Sequence, residues 1–208
     1  MIRKRSLIRR GAAVAAAGTA ALVLAACGGS GDSATGHNGH PATSASTSAS
    51  ASQGQHNAAD TAFAQGMIPH HRQAVEMAGL APSRAESTEV KKLAEQIEKA
   101  QDPEIKTLSG WLTSWGEEVP ADGTMDHSAH SAGAMMTAQE MDQLGKASGT
   151  AFDTAFMQMM IKHHEGAVAM AKTEKTEGSF PGAKKMADAI ITSQTAEITR
   201  MNDLLGKS

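Results

Sequence analysis

Cysteine is nearly absent. The 208-residue chain has one, Cys27. Nothing after it can be stapled by a disulfide, and no later thiol can serve as a nucleophile. Basic charge is scarce as well. Residues 1–26 hold five of the 19 Lys and Arg and none of the 22 Asp and Glu, which leaves the remainder at a net charge of about −8. That disfavours a nucleic-acid role, which needs a basic footprint. Several catalytic motifs are missing too. There is no Gly-rich phosphate loop. His164-Glu165 runs into Gly166-Ala167, which excludes the H-E-x-x-H zinc helix. The Glu-x-x-His of di-iron carboxylate bundles does not occur, so a ferroxidase-like redox enzyme is a distant rival. No segment reads as a β-strand.

What is present begins with an export pattern. The basic start MIRKRS and Arg9-Arg10 precede an apolar run from Gly11 to Ala26, which ends Leu24-Ala25-Ala26-Cys27. A basic n-region, an apolar h-region and small residues before a cysteine predict a lipoprotein signal peptide over 1–26. The run is short for a spanning helix. Cys27 would become the lipidated N-terminus, anchoring the protein to the outer face of the cell membrane. Residues 27–56 are almost all Gly, Ser, Thr, Ala, Asn and His, which predicts a flexible tether carrying His37, His40 and His56.

The rest is a duplication. FAQGMIPHHRQAVEMA (Phe63 to Ala78) and FMQMMIKHHEGAVAMA (Phe156 to Ala171) align without a gap at an offset of 93 residues. The same offset places Asp60 on Asp153, Gln101 on Gln194 and Glu104 on Glu197. Unit one spans 57–116, a connector 117–149 and unit two 150–206. Apolar residues recur at helical spacing in both units. A first helix covers about Asp60 to Ala78 and a second about Thr88 to Trp115. A T-x-x-E capping box opens a short helix at Thr137. A long helix follows from Thr150 to Lys172, and the last runs from about Ala183 to Leu205. Pro69 predicts a kink, and Asp102-Pro103 predicts an interruption of the second helix with a bend. Gly79 to Ser87 reads as a turn, and Gly178, Pro181 and Gly182 as another, with Pro181 suited to the first helical position. The expected fold is all-α, an antiparallel four-helix bundle built from a duplicated helix hairpin. The two HH helices share one core if the internal axis runs between them.

Four residue groups could carry chemistry. His70-His71 and His163-His164 lie on the apolar faces of their helices. Adjacent helical residues sit about 100° apart, so one pair does not grip one ion alone. A site assembled from several helices is the better reading, against the bland one of satisfied interface histidines. Met67, Met77, Met160 and Met170 stand one to two turns from the His pairs, in a chain with 13 methionines. Methionine often only fills core gaps. Beside imidazole, however, thioether suits a soft ion, copper above all. Glu104 and Glu197 interrupt apolar stripes, and a buried carboxylate needs a partner or a metal. They either orient the imidazoles or ligate directly, with Asp60 and Asp153 assisting, unless they reach out to solvent. The connector MDHSAHSAGAMM adds Met125, His127, His130, Met135 and Met136 in loose spacing.

With its doubled M-x-x-H-H helices, Asp60, the Gln101-x-x-Glu104-Ile105 and Gln194-x-x-Glu197-Ile198 pairs and the connector GAMMTAQEMDQL, the chain resembles the exported bacterial family called domain of unknown function 305. The resemblance covers about residues 57–206. It implies a ferritin-like helical bundle. Some members of the family are linked to copper binding and tolerance, which implies a metal role for Met67, His70, His71 and Met77 in unit one. It implies the same for Met160, His163, His164 and Met170 in unit two. The expected function is a lipid-anchored extracytoplasmic protein that buffers or chaperones copper ions, with a metal donor or acceptor protein as partner. The rival from another class is a structural or interaction module whose HH helices simply pack.

Overall fold

A computed structural model describes residues 55–121 and 135–206. Cys27, the signal peptide, most of the tether and the connector residues Met125, His127 and His130 lie outside the described residues. Six helices follow in order: α1 (Ala58–Gly79), α2 (Ala81–Arg84), α3 (Thr88–Trp115), α4 (Ala138–Lys146), α5 (Gly149–Glu177) and α6 (Pro181–Leu204). The described residues form no strand, only an isolated bridge between Ala85 and Gly149. The protein is all-α, and none of the described helices is long and apolar enough to cross a membrane.

The starts of the helices follow from local chemistry. Asn57 caps α1 in a capping box with Asp60, Ser87 caps α3, and Thr137 caps α4 in a box with Glu140. Pro181 sits at the first position of α6, where a missing N–H costs nothing. At the end of α3, Gly116 takes φ 77°, a left-handed cap that favours glycine.

Two expectations are corrected. Asp102-Pro103 does not interrupt α3, which is continuous from Thr88 to Trp115. Pro103 faces solvent, so the carbonyl it leaves unbonded is open to water, while Ile97, Gln101 and Leu108 on the other face stay buried and hold the helix together. The turn expected between Gly79 and Ser87 contains the short helix α2. In addition, α1 runs through Pro69 as one element, and α5 extends to Glu177, past the expected end at Lys172.

The two hairpins are α1 with α3 and α5 with α6, and they meet through α1 against α5. The equivalent helices α1 and α5 thus face each other across the internal axis. The apolar interior divides into two clusters. One holds Ala74, Met77, Val90, Leu93, Ile97, Phe152, Phe156, Met160 and Met201. The other holds Phe63, Met67, Leu108, Leu112, Ala167, Ala171, Ala187 and Ile190. Each long helix passes from one cluster to the other, α1 in the opposite order to α5. At each changeover stand polar residues: His70 and His71 on α1, Gln101 and Glu104 on α3, His163 and His164 on α5, Gln194 and Glu197 on α6. A polar layer therefore crosses the middle of the bundle.

Both ends of the connector are tied to α1 just after its His pair. The Arg72 guanidinium donates to the carbonyls of Pro120 and Ala121 at 2.7 and 3.3 Å. The Gln73 amide donates to the Met136 carbonyl at 2.9 Å and accepts its N–H at 2.7 Å. His56, at the end of the expected tether, stacks on Trp115 with ring centroids 4.4 Å apart and planes 6° apart.

Candidate metal centre

All four histidines of the polar layer are fully buried. The His70 and His163 rings lie against each other where α1 crosses α5, centroids 3.7 Å apart. The outer two are backed by carboxylates from the partner helix of their own hairpin. His71 Nε2 is 2.8 Å from Glu104 Oε2, and His164 Nε2 is 2.6 Å from Glu197 Oε2. The same contact recurs at the 93-residue offset, so the duplication has kept a working unit and not only an apolar pattern. The glutamates are about one-fifth exposed while their histidines are dry. The carboxylate end of each pair therefore keeps contact with water.

These pairs fix the imidazoles. A carboxylate that accepts a hydrogen bond from Nε2–H holds the ring in place and leaves Nδ1 turned to the interior. The Nδ1 atoms of His71 and His164 have no hydrogen-bond partner, and neither nitrogen of His163 has one. Burial first, and then the neighbouring histidines, hold the His163 pKa well below the usual imidazole value, so this ring is neutral. The amide oxygens of Gln101 and Gln194, both buried, are also unpartnered. Each such atom costs about 1–3 kcal/mol in a dry interior. An ordinary core would use apolar residues here.

The predicted sulfur residues belong to the two apolar clusters on either side of the layer, Met77 and Met160 to one, Met67 and Met170 to the other. Met67 and Met160 each stand three residues before a His pair and are fully buried, as is Met77. Met170 is half-buried and its Sδ lies 3.5 Å from where a Cβ on Gly66 would stand, so it reaches α1 beside Met67. Among the described residues, no group of three His, Cys, Asp or Glu is arranged closely enough to hold a metal ion. As nitrogen and carboxylate donors alone, the layer does not make a closed three-ligand site.

Asp60 and Asp153 do something else than assist a metal. Asp60 accepts the backbone N–H of Ser179 at 3.2 Å, that of Phe180 at 2.9 Å and the Ser179 hydroxyl at 3.1 Å. Asp153 accepts the N–H groups of Glu86 and Ser87 at 3.2 and 2.8 Å. Each aspartate thus closes the turn before the second helix of the opposite unit. Their hydrogen bonds bind them to backbone amides, away from the His layer. The sequence shows their equivalence but not their reach, because the partners are backbone atoms. Gln101 and Gln194 were visible as an equivalent pair three residues before the glutamates, yet nothing in the spacing says that their carbonyls end unpartnered.

A family model described as Domain of unknown function (DUF305) matches residues 60–205. Among solved structures, a DUF305 protein of Streptomyces coelicolor, described as secreted, is 35% identical, with 72% of this chain and 93% of that one covered and a TM-score of 0.65. CopM in its Cu(I)-bound form is 38% identical over 70% of this chain and 94% of its own, with a TM-score of 0.59. The same protein was also solved with Cu(II) and with silver. A DUF305 fragment from Deinococcus radiodurans is 26% identical, covering 74% of this chain and all of the fragment, with a TM-score of 0.66. No curated protein matches the chain.

Proposed function

The chain belongs to the DUF305 family, and from that premise we propose that it is an exported, lipid-anchored protein that binds copper ions and buffers or hands them on. One observation carries this reading. Imidazole nitrogens are buried in the middle of the bundle, two of them on rings backed by carboxylates, and they are left without hydrogen-bond partners. A neutral imidazole with a bare, oriented nitrogen is a metal ligand in waiting. His71 and His164 offer Nδ1, and His163 lies against His70. Thioethers complete the donor set: Met67 and Met77 from α1, Met160 and Met170 from α5. Imidazole with thioether suits Cu(I), and imidazole also accepts Cu(II). That a 38% identical relative holds both copper states and silver supports the choice of a soft ion. Glu104 and Glu197 act as orienting groups in this reading and not as ligands. Cys27 supplies the anchor and residues 27–56 the tether, with the bundle of 57–206 as the binding domain.

The test is metal content. The protein is exposed in turn to Cu(I), Cu(II) and Zn(II), freed of unbound ion and weighed by elemental analysis. Retention of one or more copper ions per chain, lost when His71 and His164 are both replaced by Phe, is expected. No retained metal would overturn the proposal in favour of a packing module. Tightly held iron with oxygen consumption would overturn it in favour of a redox enzyme.

A further inference from the structure

Among the described residues outside the His layer, one ionisable side chain is buried without meeting a donor. Glu174, near the end of α5, is 1% exposed, and neither of its carboxylate oxygens meets a hydrogen-bond donor. Its side chain folds back over the α5–α6 turn. A Cβ on Gly178 would stand 2.1 Å from Glu174 Oε1 and 2.7 Å from the Glu174 carbonyl oxygen, so the carboxyl lies over the glycine. The acid it faces is Asp60. Asp60 is saturated with donors: the N–H of Asn57 at 2.7 Å, those of Ser179 and Phe180, and the Ser179 hydroxyl. Two carboxylates in contact do not both ionise. The donors decide which one keeps the charge. Asp60 remains the anion, and Glu174, as an acid, supplies the O–H that it alone lacks a partner for.

We propose that Asp60 and Glu174 hold one proton between them, and that this proton locks the α5–α6 turn of the second unit. Losing it in alkaline solution places a second charge in a dry contact and opens the turn. The charged groups that face Glu174 are Asp60 from α1 and Lys184 from α6, whose ammonium donates to the Gly178 carbonyl at 3.0 Å. Lys184 opposes the effect and does not cancel it. Burial first, then the hydrogen bond and charge of Asp60, push Glu174 up to about 8 from an ordinary 4.5. A carboxyl raised in the folded state stabilises fully below its unfolded value, and that contribution is lost as pH climbs through about 8.

The duplication supplies an internal control. At the 93-residue offset Glu174 becomes Ala81, while Asp60 becomes Asp153, Ser179 becomes Glu86 and Phe180 becomes Ser87. The first unit therefore has the same aspartate clamp on the same two amides without the second acid. Its turn into α3 has no proton to lose. Only the turn into α6, the helix that carries Glu197, responds.

The experiment follows the full chain from neutral to alkaline pH with two readouts. One is hydrogen exchange at the Ser179 and Phe180 amides, set against the Glu86 and Ser87 amides in the same molecule. The other is the infrared C=O band of a protonated carboxyl. The band is expected at neutral pH in the wild type and absent in Glu174→Gln. Above about pH 8 the Ser179 and Phe180 amides should lose protection about tenfold relative to their first-unit counterparts, a ratio that intrinsic exchange chemistry leaves unchanged. Glu174→Gln keeps a donor for Asp60 but cannot titrate, so the ratio should stay flat. Glu174→Ala repeats the first unit's own arrangement and should also be flat. A missing band, a ratio that does not move, or an alkaline loosening that persists in both variants would overturn the proposal. So would a transition that shifts when Ca(II) is added at constant pH, since a metal ion and not a proton would then bridge the pair.

Discussion

His70 and His163 stand at equivalent positions of the two units, and their rings are in contact across the α1–α5 crossing. The internal axis passes between them. Two copies of one motif have been brought together into a single polar layer.

If copper is held there, the two units share it. His70→Ala combined with His163→Ala should then depart from additivity, because residues that act on one ion couple. His163→Ala is expected to weaken binding more than His70→Ala, since Pro69 in unit one replaces Lys162 and the halves are not identical ligands. Isothermal titration of the wild type, both single variants and the double variant decides the matter. Additive losses, with half the ions gone in each single variant, would give each unit its own site.

The orienting carboxylates can be tested separately from the fold. Glu104→Gln and Glu197→Gln keep size and the ability to accept a hydrogen bond but remove the charge that holds the imidazole proton. Each should reduce copper affinity by roughly 10–100-fold while circular dichroism stays that of the wild type. Unchanged affinity in both variants would detach the glutamates from the site.

Asp60→Ala and Asp153→Ala should each lower stability by about 1–3 kcal/mol, because the first strands three backbone amides and the second two at helix starts. Urea unfolding measures this. Acid adds a second signature for Asp60. Burial pushes its pKa up, but the hydrogen bonds with Glu174, Asn57, Phe180 and Ser179 together bring it below 3.8. A depressed carboxyl stabilises above its unfolded value and loses that contribution as pH falls through the folded one. Wild type should therefore weaken below about pH 3.8, and Asp60→Asn should show a shallower acid limb.

Gly178→Ala should destabilise the protein although its backbone, at φ −67°, suits alanine. The cost comes from the Glu174 carboxyl in the space the methyl would take and from the Glu174 carbonyl oxygen, 2.7 Å from the same point. Paired with Glu174→Ala, the same substitution should cost less, because only the carbonyl contact then remains. Thermal unfolding of the two single variants and the double one reads the difference. Equal penalties in both backgrounds would mean that something other than Glu174 confines the glycine.

Most of the fold was legible because periodicity and caps are local. The span of α3, the Thr137 capping box and Pro181 at the first position of α6 follow from neighbouring residues. Pro103 misled because a proline's cost depends on which face it occupies, and solvent forgives the lost bond. The Glu104–His71 and Glu197–His164 contacts were legible as alternatives, since a charge inside an apolar stripe demands a partner and the duplication repeats the demand. Glu174 was not legible. Its burial and its contact with Asp60 come from a turn and from α1, so the spacing along α5 does not distinguish it from a surface glutamate. The aspartates were misread for a related reason: in a chain with doubled histidines an equivalent acid suggests a ligand, whereas here the amides of the opposite unit had the prior claim.

The crossed aspartates have a consequence for how such a chain could arise and fail. The turn of each hairpin is closed by a side chain from the other, so neither half is finished by its own residues. A single ancestral hairpin could have met this requirement by associating with a second copy of itself, each molecule lending its aspartate to its mate. With both copies in one chain, the closure does not depend on concentration. The arrangement also leaves one position, Ala81 in the first half and Glu174 in the second, free to diverge without disturbing the exchange that holds the halves together.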